Sequence, residues 1–510
     1  MLSRLKSFGL VGIDGYPIDV EIDLNNGLPG YNVVGLPDAS IKEGKDRIMS
    51  ALKNSGFEYP LYKITVNLAP ADTRKEGPIY DLPIALGLLS ATSQIPNNST
   101  NDFIILGELS LNGDVRKVNG ILPMLISARE HGFKKVIIPN ENKMEASFIA
   151  GLEIYAVESL TEAADFLSGK VLIQPLATSS YEDKVKTAAV PNDFCYIKGQ
   201  KTAKRAMEIA AAGGHNVILI GPPGSGKTML AKSFPSILPD MTFEEALEVT
   251  KIHSVAGTLD SKQGIVLTRP FRAPHHTTTT ITMVGGGRTS RPGEVSLAHN
   301  GVLFLDETPE YPRTLIETLR QPLEDRVITV SRIAQTVEYP ADFALVASMN
   351  PCHCGYYGSK LHEFKCTPMQ IHNYLNKLSG PLMDRIDLQI EVDAIEYSDL
   401  KSDQLEESSA SIKERVARAR NAQTQRFKGT KIHNNAAMNS ALVKKYCKLS
   451  SDAEHVLEEA FKKLNLTARA HDRILKVART IADLDGSENI KLEHLIEAIN
   501  YRSLDRKYWQ

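Results

Sequence analysis

Residues 216–228 read Asn216-Val-Ile-Leu-Ile-Gly-Pro-Pro-Gly-Ser-Gly-Lys-Thr228. Val217 to Ile220 is a run of apolar, mostly branched residues, the pattern of a buried strand. It leads directly into Gly221, Pro222, Pro223, Gly224, Ser225, Gly226, Lys227 and Thr228, and then into the helical pattern Met229-Leu-Ala-Lys-Ser-Phe234. A G-x-x-x-x-G-K-[ST] loop between strand and helix is a polyphosphate cradle. Its glycines let the backbone curl so that N–H groups face the phosphates, and the helix adds its positive N-terminal end. In such a loop Lys227 reaches the β- and γ-phosphates and the Thr228 hydroxyl ligates Mg²⁺.

Downstream, Gly301-Val-Leu-Phe-Leu-Asp306-Glu307 is an apolar strand ending in two carboxylates. Asp306 is placed to hold Mg²⁺ through water, and Glu307 to polarise an attacking water. An apolar run ending in two acids says little alone; behind a phosphate loop it predicts hydrolysis.

The chain has 510 residues, which predicts two or three domains. Its net charge of -2 and 24% charged residues give no overall polyanion-binding signature, so any such surface must be local. No apolar stretch is long enough to span a bilayer, and the start, Met1 to Leu10, lacks a signal-peptide core. Five cysteines, three of them clustered, do not form a secreted disulfide framework, so a reducing cytoplasm is expected.

In the first third, Ile18–Asp23 and Tyr62–Leu68 alternate as half-buried strands, and Ala39–Ser55, Asp81–Ala91 and Ile121–His131 have helical spacing. Phe103–Leu111 with Asn112-Gly113 predicts a hairpin, and Lys135–Pro139 a final strand. Together they predict a two-layer α+β domain. Lys75-Glu-Gly-Pro78, Gly107-Glu-Leu-Ser-Leu-Asn-Gly-Asp-Val-Arg-Lys-Val-Asn-Gly120 and Gly132-Phe-Lys-Lys-Val-Ile-Ile-Pro139 resemble the proteolytic domain of Lon, which has a ribosomal-S5-like fold. The resemblance places Ile79 where Lon has its serine nucleophile and Leu122 where it has its lysine base. Neither side chain can attack a carbonyl or accept a proton, so a protease fold without protease activity is expected.

Residues 171–192 lose periodicity and read as a linker. Phe194-Cys-Tyr-Ile-Lys-Gly-Gln200 and the Ala-rich Lys201–Ala212 resemble the approach to an AAA+ module, which makes Ile197 and Gly199 candidates beside an adenine. His275-His276 are adjacent and share no helix face, a poor metal pair. The Thr- and Gly-rich run around them reads as a mobile insertion facing the pore of a ring. Arg326–Val330 and Gln335–Tyr339 predict a hairpin with Arg332 near its tip. Arg332 is either a solvated arginine or a phosphate contact on a strand drawn through a channel.

Phe343–Met349 is a buried strand with Asn350 at its carboxyl end, where open α/β sheets place ligand groups. Asn350 resembles the sensor 1 residue of AAA+ enzymes. In Pro381-Leu-Met-Asp-Arg385-Ile-Asp-Leu388, Arg385 reads either as an Asp–Arg–Asp ion-pair residue or, by the same resemblance, as an arginine finger toward a neighbouring subunit. Cys352, Cys354 and Cys366 are possible zinc ligands. The resemblance implies two C-x-C pairs, and Phe364-Lys-Cys366 lacks one member of the second. Between Lys413 and Lys448 ten basic residues stand against the single acid Glu414, a candidate polyanion surface. Thr467-Ala-Arg469 and onward resembles the sensor 2 segment of an AAA+ lid, with Arg469 toward nucleotide and Arg473 as rival.

Taken whole, the chain resembles the YifB/ComM family of magnesium-chelatase-like AAA+ ATPases. That resemblance implies a multidomain α/β protein: a Lon-protease-like domain over 1–170, a linker over 171–192, an AAA+ core over 193–395 and a helical lid over 396–510. It implies ATP and Mg²⁺ as ligands, hydrolysis, a homo-oligomeric, hexameric ring, and DNA as a partner in branch migration. A chelatase motor, a chaperone-type remodeller of a protein partner and a nucleotide-binding scaffold are the alternatives. Intact Lys227, Asp306 and Glu307 speak against the scaffold.

Overall fold

The alternation Ile18, Val20, Ile22, Leu24 is the spine of the first body: all four are buried, and their strand, Asp14–Asn25, pairs antiparallel with Leu2–Val11 and Lys63–Ala69. A computed structural model describes the chain except 186–191, 288–289, 332–335, 359–362, 364, 395–404, 431, 464–465, 505–507 and 509–510. The seven-stranded mixed sheet runs in the order Gly30–Val34, Lys63–Ala69, Asp14–Asn25, Leu2–Val11, Phe103–Ile105, Lys135–Pro139, Glu153–Val157. Helices Ala39–Asn54, Asp81–Ala91 and Ile121–Glu130 pack on it. Every residue of Asp81–Ala91 is buried, which is why that segment is apolar all round.

Two expectations need correction here. Phe103–Leu111 is not one strand: Gly107 leaves the sheet to donate its N–H to the Ile79 carbonyl at 3.0 Å. The Asn112-Gly113 turn closes only a small ribbon, Glu108–Leu109 with Val115–Arg116. Lys135–Pro139 is not the last strand either, because Glu153–Val157 pairs beside it in parallel.

The second body is a five-stranded parallel sheet in the order Phe271–Arg272, Val302–Leu305, Ala344–Met349, Val217–Ile220, Leu388–Glu391. Val217 and Leu219 face a core shared with the C-terminal helices, while Ile218 and Ile220 face the core under the hairpin. Both sides of this strand are therefore dry, as its unbroken apolar run requires. The hairpin pairs Val327–Ser331 with Thr336–Pro340. Arg332 lies outside the described residues, and Arg326 caps the preceding helix at positive φ instead of opening the strand.

Helix Ala468–Leu484 packs against Ser409–Arg426 and Lys201–Gly213, closing the sheet's helical side. The first body docks on the second through Ile121–Glu130 against Phe243–Ala256. There Gly120 N–H donates to Ser254 O at 3.1 Å and the Ser254 hydroxyl to Glu145 Oε2 at 2.7 Å. Gly12 meets Val337 of the hairpin so closely that a Cβ would stand 2.4 Å from its Cγ1. Among the described residues no helix is long and apolar enough to cross a membrane.

Candidate nucleotide site

Parallel pairing decides the geometry. Val217–Ile220, Ala344–Met349 and Val302–Leu305 point the same way, so the loops that follow them meet at one end of the sheet. Gly224 and Gly226 take positive φ, 76° and 90°, which shapes the loop that ends at Lys227. The Lys227 ammonium donates to Gly221 O at 2.7 Å, Pro222 O at 2.8 Å and Asn350 Oδ1 at 3.2 Å. Burial pulls its pKa down to about 8, against the opposing pull of Asp306 and Glu307. The Thr228 hydroxyl donates to Asp306 Oδ2 at 3.1 Å.

Asp306 is itself held. Its Oδ1 accepts from the fully buried Ser348 hydroxyl and, at 3.1 Å, from the Glu307 N–H. Ser348 was not singled out from the sequence. The signal was there: a lone hydroxyl in the apolar strand Ala344–Met349, two residues before Asn350. Glu307 stands at φ 50°, a conformation costing a non-glycine residue roughly 1–3 kcal/mol. Its side chain is half-exposed, and His276 Nδ1 lies 3.8 Å from its Oε2.

These groups fit a polyphosphate with its cation. A cationic amine, a hydroxyl and a carboxylate converge, and the Ser225 hydroxyl, 1% exposed, has no hydrogen-bond partner among the described residues. Beyond the loop, a cavity of about 500 Å³ is lined by Gly199, Gln200, Thr202, Asp393 and Tyr501. Gln200 Nε2 ties it to the phosphate loop, donating to Ser225 O at 3.3 Å and Asp393 O at 2.7 Å. Gly199 lines this cavity. Ile197 does not; it is buried in the core.

Arg385 precedes Leu388–Glu391 and so lies at the opposite, amino end of the sheet. Val217 is in register with Leu388, and four strand residues at about 3.3 Å each separate it from its own phosphate loop. Its side chain is buried, pairs with Glu324 and donates to Pro381 O, and its Nε has no partner among the described residues. Arg469 does not meet Lys227 either: it stands 3.8 Å from Asp384 and is mostly exposed. Arg473 pairs with Asp387 at 2.5 Å. Both arginines sit beside Arg385 because helix Ala468–Leu484 packs at that end.

Here the comparisons bear on identity. Residues 193–400 match the family described as magnesium chelatase, subunit ChlI. Residues 20–142 match subunit ChlI of Mg-chelatase, and 406–502 its C-terminal region. The chain is 44% identical to uncharacterized protein YifB of Escherichia coli (strain K12), over 99% of this chain and 98% of that one. It is 43% identical to competence protein ComM of Haemophilus influenzae, over the same shares. The chain belongs to the YifB/ComM family of magnesium-chelatase-like AAA+ proteins. Membership in the YifB/ComM family implies nucleotide and Mg²⁺ use and oligomeric assembly. Lon protease 2 of Bacillus subtilis (strain 168) is similar only in part, 33% identical over 26% of this chain and 23% of that one. Ile79 and Leu122 are buried apolar residues in the core of the first body.

Two other candidates fare differently. The Cys352, Cys354 and Cys366 sulfurs all lie within 4.8 Å of one another, and the Cys352 and Cys354 sulfurs are 3.2 Å apart. Burial pushes the Cys352 thiol up to about 11. At Cys354 burial is outweighed by hydrogen bonds from the Tyr356 and Lys365 backbone and from its two sulfur neighbours, which bring it to about 6. His353 is not in the cluster, and His362 lies outside the described residues. Four residues of the basic run over 413–448, by contrast, are spent inside the chain. Lys413 pairs with Asp240, Arg415 with Glu208 and Glu407, and Arg426 with Asp483, while Arg420 donates to Ala211 O. Arg418, Lys428, Lys444, Lys445 and Lys448 stay exposed.

Proposed function

We propose that the protein is an ATP-hydrolysing ring motor whose site is completed by a neighbouring subunit, and that it moves DNA. The observation that carries this reading is the division of the machinery between the two ends of one sheet. Lys227, Thr228, Asp306 and Asn350 form one half-site; Arg385, with Arg469 beside it, stands at the far end, unable to serve the same nucleotide. In a head-to-tail ring the second set meets the first set of the next protomer.

In that arrangement the phosphate loop and Lys227 orient the β- and γ-phosphates. Thr228 and Asp306 would hold Mg²⁺, which supplies neutralisation of phosphate oxygens when bound. Asn350 orients the lytic water and Glu307 takes its proton. Arg385 of one protomer offsets charge on the γ-phosphate of the next, a contribution of about three to five orders of magnitude in rate in related nucleotide hydrolases. DNA as the load rests on the family resemblance and on the name of the Haemophilus influenzae relative, competence protein ComM, with Arg332 a candidate phosphate contact. The Lon-like domain then acts without proteolysis.

The three-sulfur cluster offers a thiolate set for zinc beside this site, since tetrahedral Zn–S bonds of about 2.3 Å bring sulfurs to comparable separations.

The test is a panel of forked, three-stranded and duplex DNAs with wild type, Lys227→Ala and Arg385→Ala. ATP-dependent strand exchange by wild type alone supports the reading. Robust hydrolysis with no DNA affinity at low salt removes DNA and leaves a motor for a protein partner.

A further inference from the structure

Two strands reach the junction of the two bodies with one edge unpaired. Leu2–Val11 pairs along its whole length with Asp14–Asn25, from Leu2↔Asp23 to Val11↔Asp14. On its other side Phe103–Ile105 meets it only at Lys6↔Ile104. From Phe8 to Val11 that side has no strand beside it, and among the described residues no further backbone hydrogen bond reaches it. The hairpin strand Thr336–Pro340 is likewise paired on one side alone, with Val327–Ser331. Along a strand the N–H and C=O groups point alternately to the two sides, so each open edge keeps donors and acceptors aimed outward.

Both edges line one cavity of about 750 Å³, a volume within the range of roughly 300–1,000 Å³ usual for a binding site. Phe8 to Gly12 line it from the first body, Val337 and Tyr339 from the second. Gly12 and Val337 touch, and the cavity opens beside that contact. Charge decides which polymer fits. The carboxylates of Asp72, Glu76 and Glu108 line it together with the cations Arg74, Lys117 and Arg291. Equal numbers of each sign give no net positive potential to draw a phosphate backbone. Two of the cations are also engaged: Lys117 Nζ donates to Leu259 O at 3.4 Å, and Arg74 lies 3.8 Å from Glu76. An extended polypeptide is neutral along its backbone and presents its own donors and acceptors at the strand repeat.

We infer that this cavity binds an extended segment of a partner protein, taken up as an added strand on the Phe8–Val11 edge. Four residues of edge span about 13 Å, so a short unfolded or terminal stretch pairs there, whereas a folded surface cannot reach an edge that lies inside a cavity. A segment seated on this edge also meets the hairpin strand Thr336–Pro340, and one bound chain thereby contacts both bodies. Neither the phosphate loop nor Arg385 borders the cavity, which makes this site separate from the nucleotide half-site.

The experiment uses the full-length chain and two fluorescent probes: reduced, carboxymethylated α-lactalbumin, a permanently unfolded polypeptide, and a single-stranded oligothymidylate. By anisotropy wild type should bind the unfolded polypeptide. Arg74→Trp places a large ring in the mouth of the cavity at an exposed position. It should weaken that binding roughly tenfold or more, the scale of losing one central contact, and leave the oligothymidylate affinity, the ATPase rate and the melting temperature unchanged. Amide hydrogen exchange over Phe8–Val11 should slow when the polypeptide is bound. A photoreactive benzoylphenylalanine in place of Arg74 should capture the polypeptide, and one in place of Lys53, exposed on helix Ala39–Asn54, should not. Failure of wild type to bind the unfolded polypeptide overturns the inference. So does binding that Arg74→Trp leaves intact, slowed exchange confined to other strands, or capture of the oligothymidylate instead of the polypeptide at position 74.

Discussion

The Thr228 hydroxyl donates to Asp306 Oδ2 at 3.1 Å across 78 residues of sequence. The two side chains proposed to ligate one cation are thus already in contact, and Asp306 is clamped from behind by Ser348. Ser348→Ala should leave nucleotide affinity in EDTA unchanged but raise the Mg²⁺ concentration for half-maximal hydrolysis by about tenfold, the usual loss when a partner of a metal ligand is removed. Mg²⁺ titrations of the ATPase rate check this, and an unchanged midpoint refutes it.

Lys227 is buried enough that its ammonium titrates near pH 8, well below the ordinary 10.5. The charged form binds phosphate. Below pH 8 nucleotide affinity should therefore be flat, and above it affinity should weaken by up to about tenfold per pH unit, with proton uptake on binding. Calorimetry of ATP binding at pH 7, 8 and 9 in buffers of different ionisation heat reads both quantities. Equal proton uptake at pH 7 and 9 contradicts the assignment.

Asp387 ties the lid to the core. It pairs with Arg473 at 2.5 Å, meets His215 Nδ1 at 3.3 Å and accepts from the Asn216 N–H at 3.1 Å. Burial alone would raise its pKa, but Arg473, His215 and Lys476 outweigh burial and hold it well below the usual carboxylate range. A depressed carboxylate adds stability above its unfolded pKa and loses it as pH falls toward the folded one. Asp387→Ala removes a buried carboxylate and leaves partly buried Arg473 without its partner, and should cost about 3 kcal/mol. Denaturant melts at pH 7 and pH 3.5 should show the larger wild-type-to-variant gap at pH 7.

The three-sulfur cluster follows Asn350 directly, and Gly355 within it packs against Pro223 of the phosphate loop, where a Cβ would stand 2.7 Å from Pro223 Cδ. Protein purified without chelator should carry close to one zinc, and Cys366→Ser should lose it together with part of the ATPase rate. Metal analysis below about a tenth of an equivalent would set zinc aside, since structural sites of this kind bind tightly at neutral pH.

Much of the site was legible because its chemistry is local. The phosphate loop and the acid pair each follow an apolar strand, and Asn350 ends a third, so parallel pairing alone brings them together. What sequence could not supply was long-range placement. Lys413, Arg415 and Arg426 look like a free basic face until acids from elsewhere in the chain, Asp240, Glu208 and Asp483, fold against them. Gly107 looks like mid-strand until the Ile79 carbonyl claims its N–H. His275-His276 looked like a failed metal pair; only the register of the edge strand reveals that His276 faces Glu307. Arg469 fits a nucleotide contact by sequence, and the packing of its helix places it beside Asp384, away from the phosphate loop of its own chain.

Hydrolysis at a seam between protomers is measured most directly by mixing two inactive variants. Arg385→Ala keeps Lys227, and Lys227→Ala keeps Arg385. Equimolar co-assembly should recover a substantial fraction of wild-type ATPase activity, because some seams then join an intact phosphate loop to an intact arginine. No recovery in verified mixed rings, or full-rate hydrolysis by Arg385→Ala alone, would contradict it.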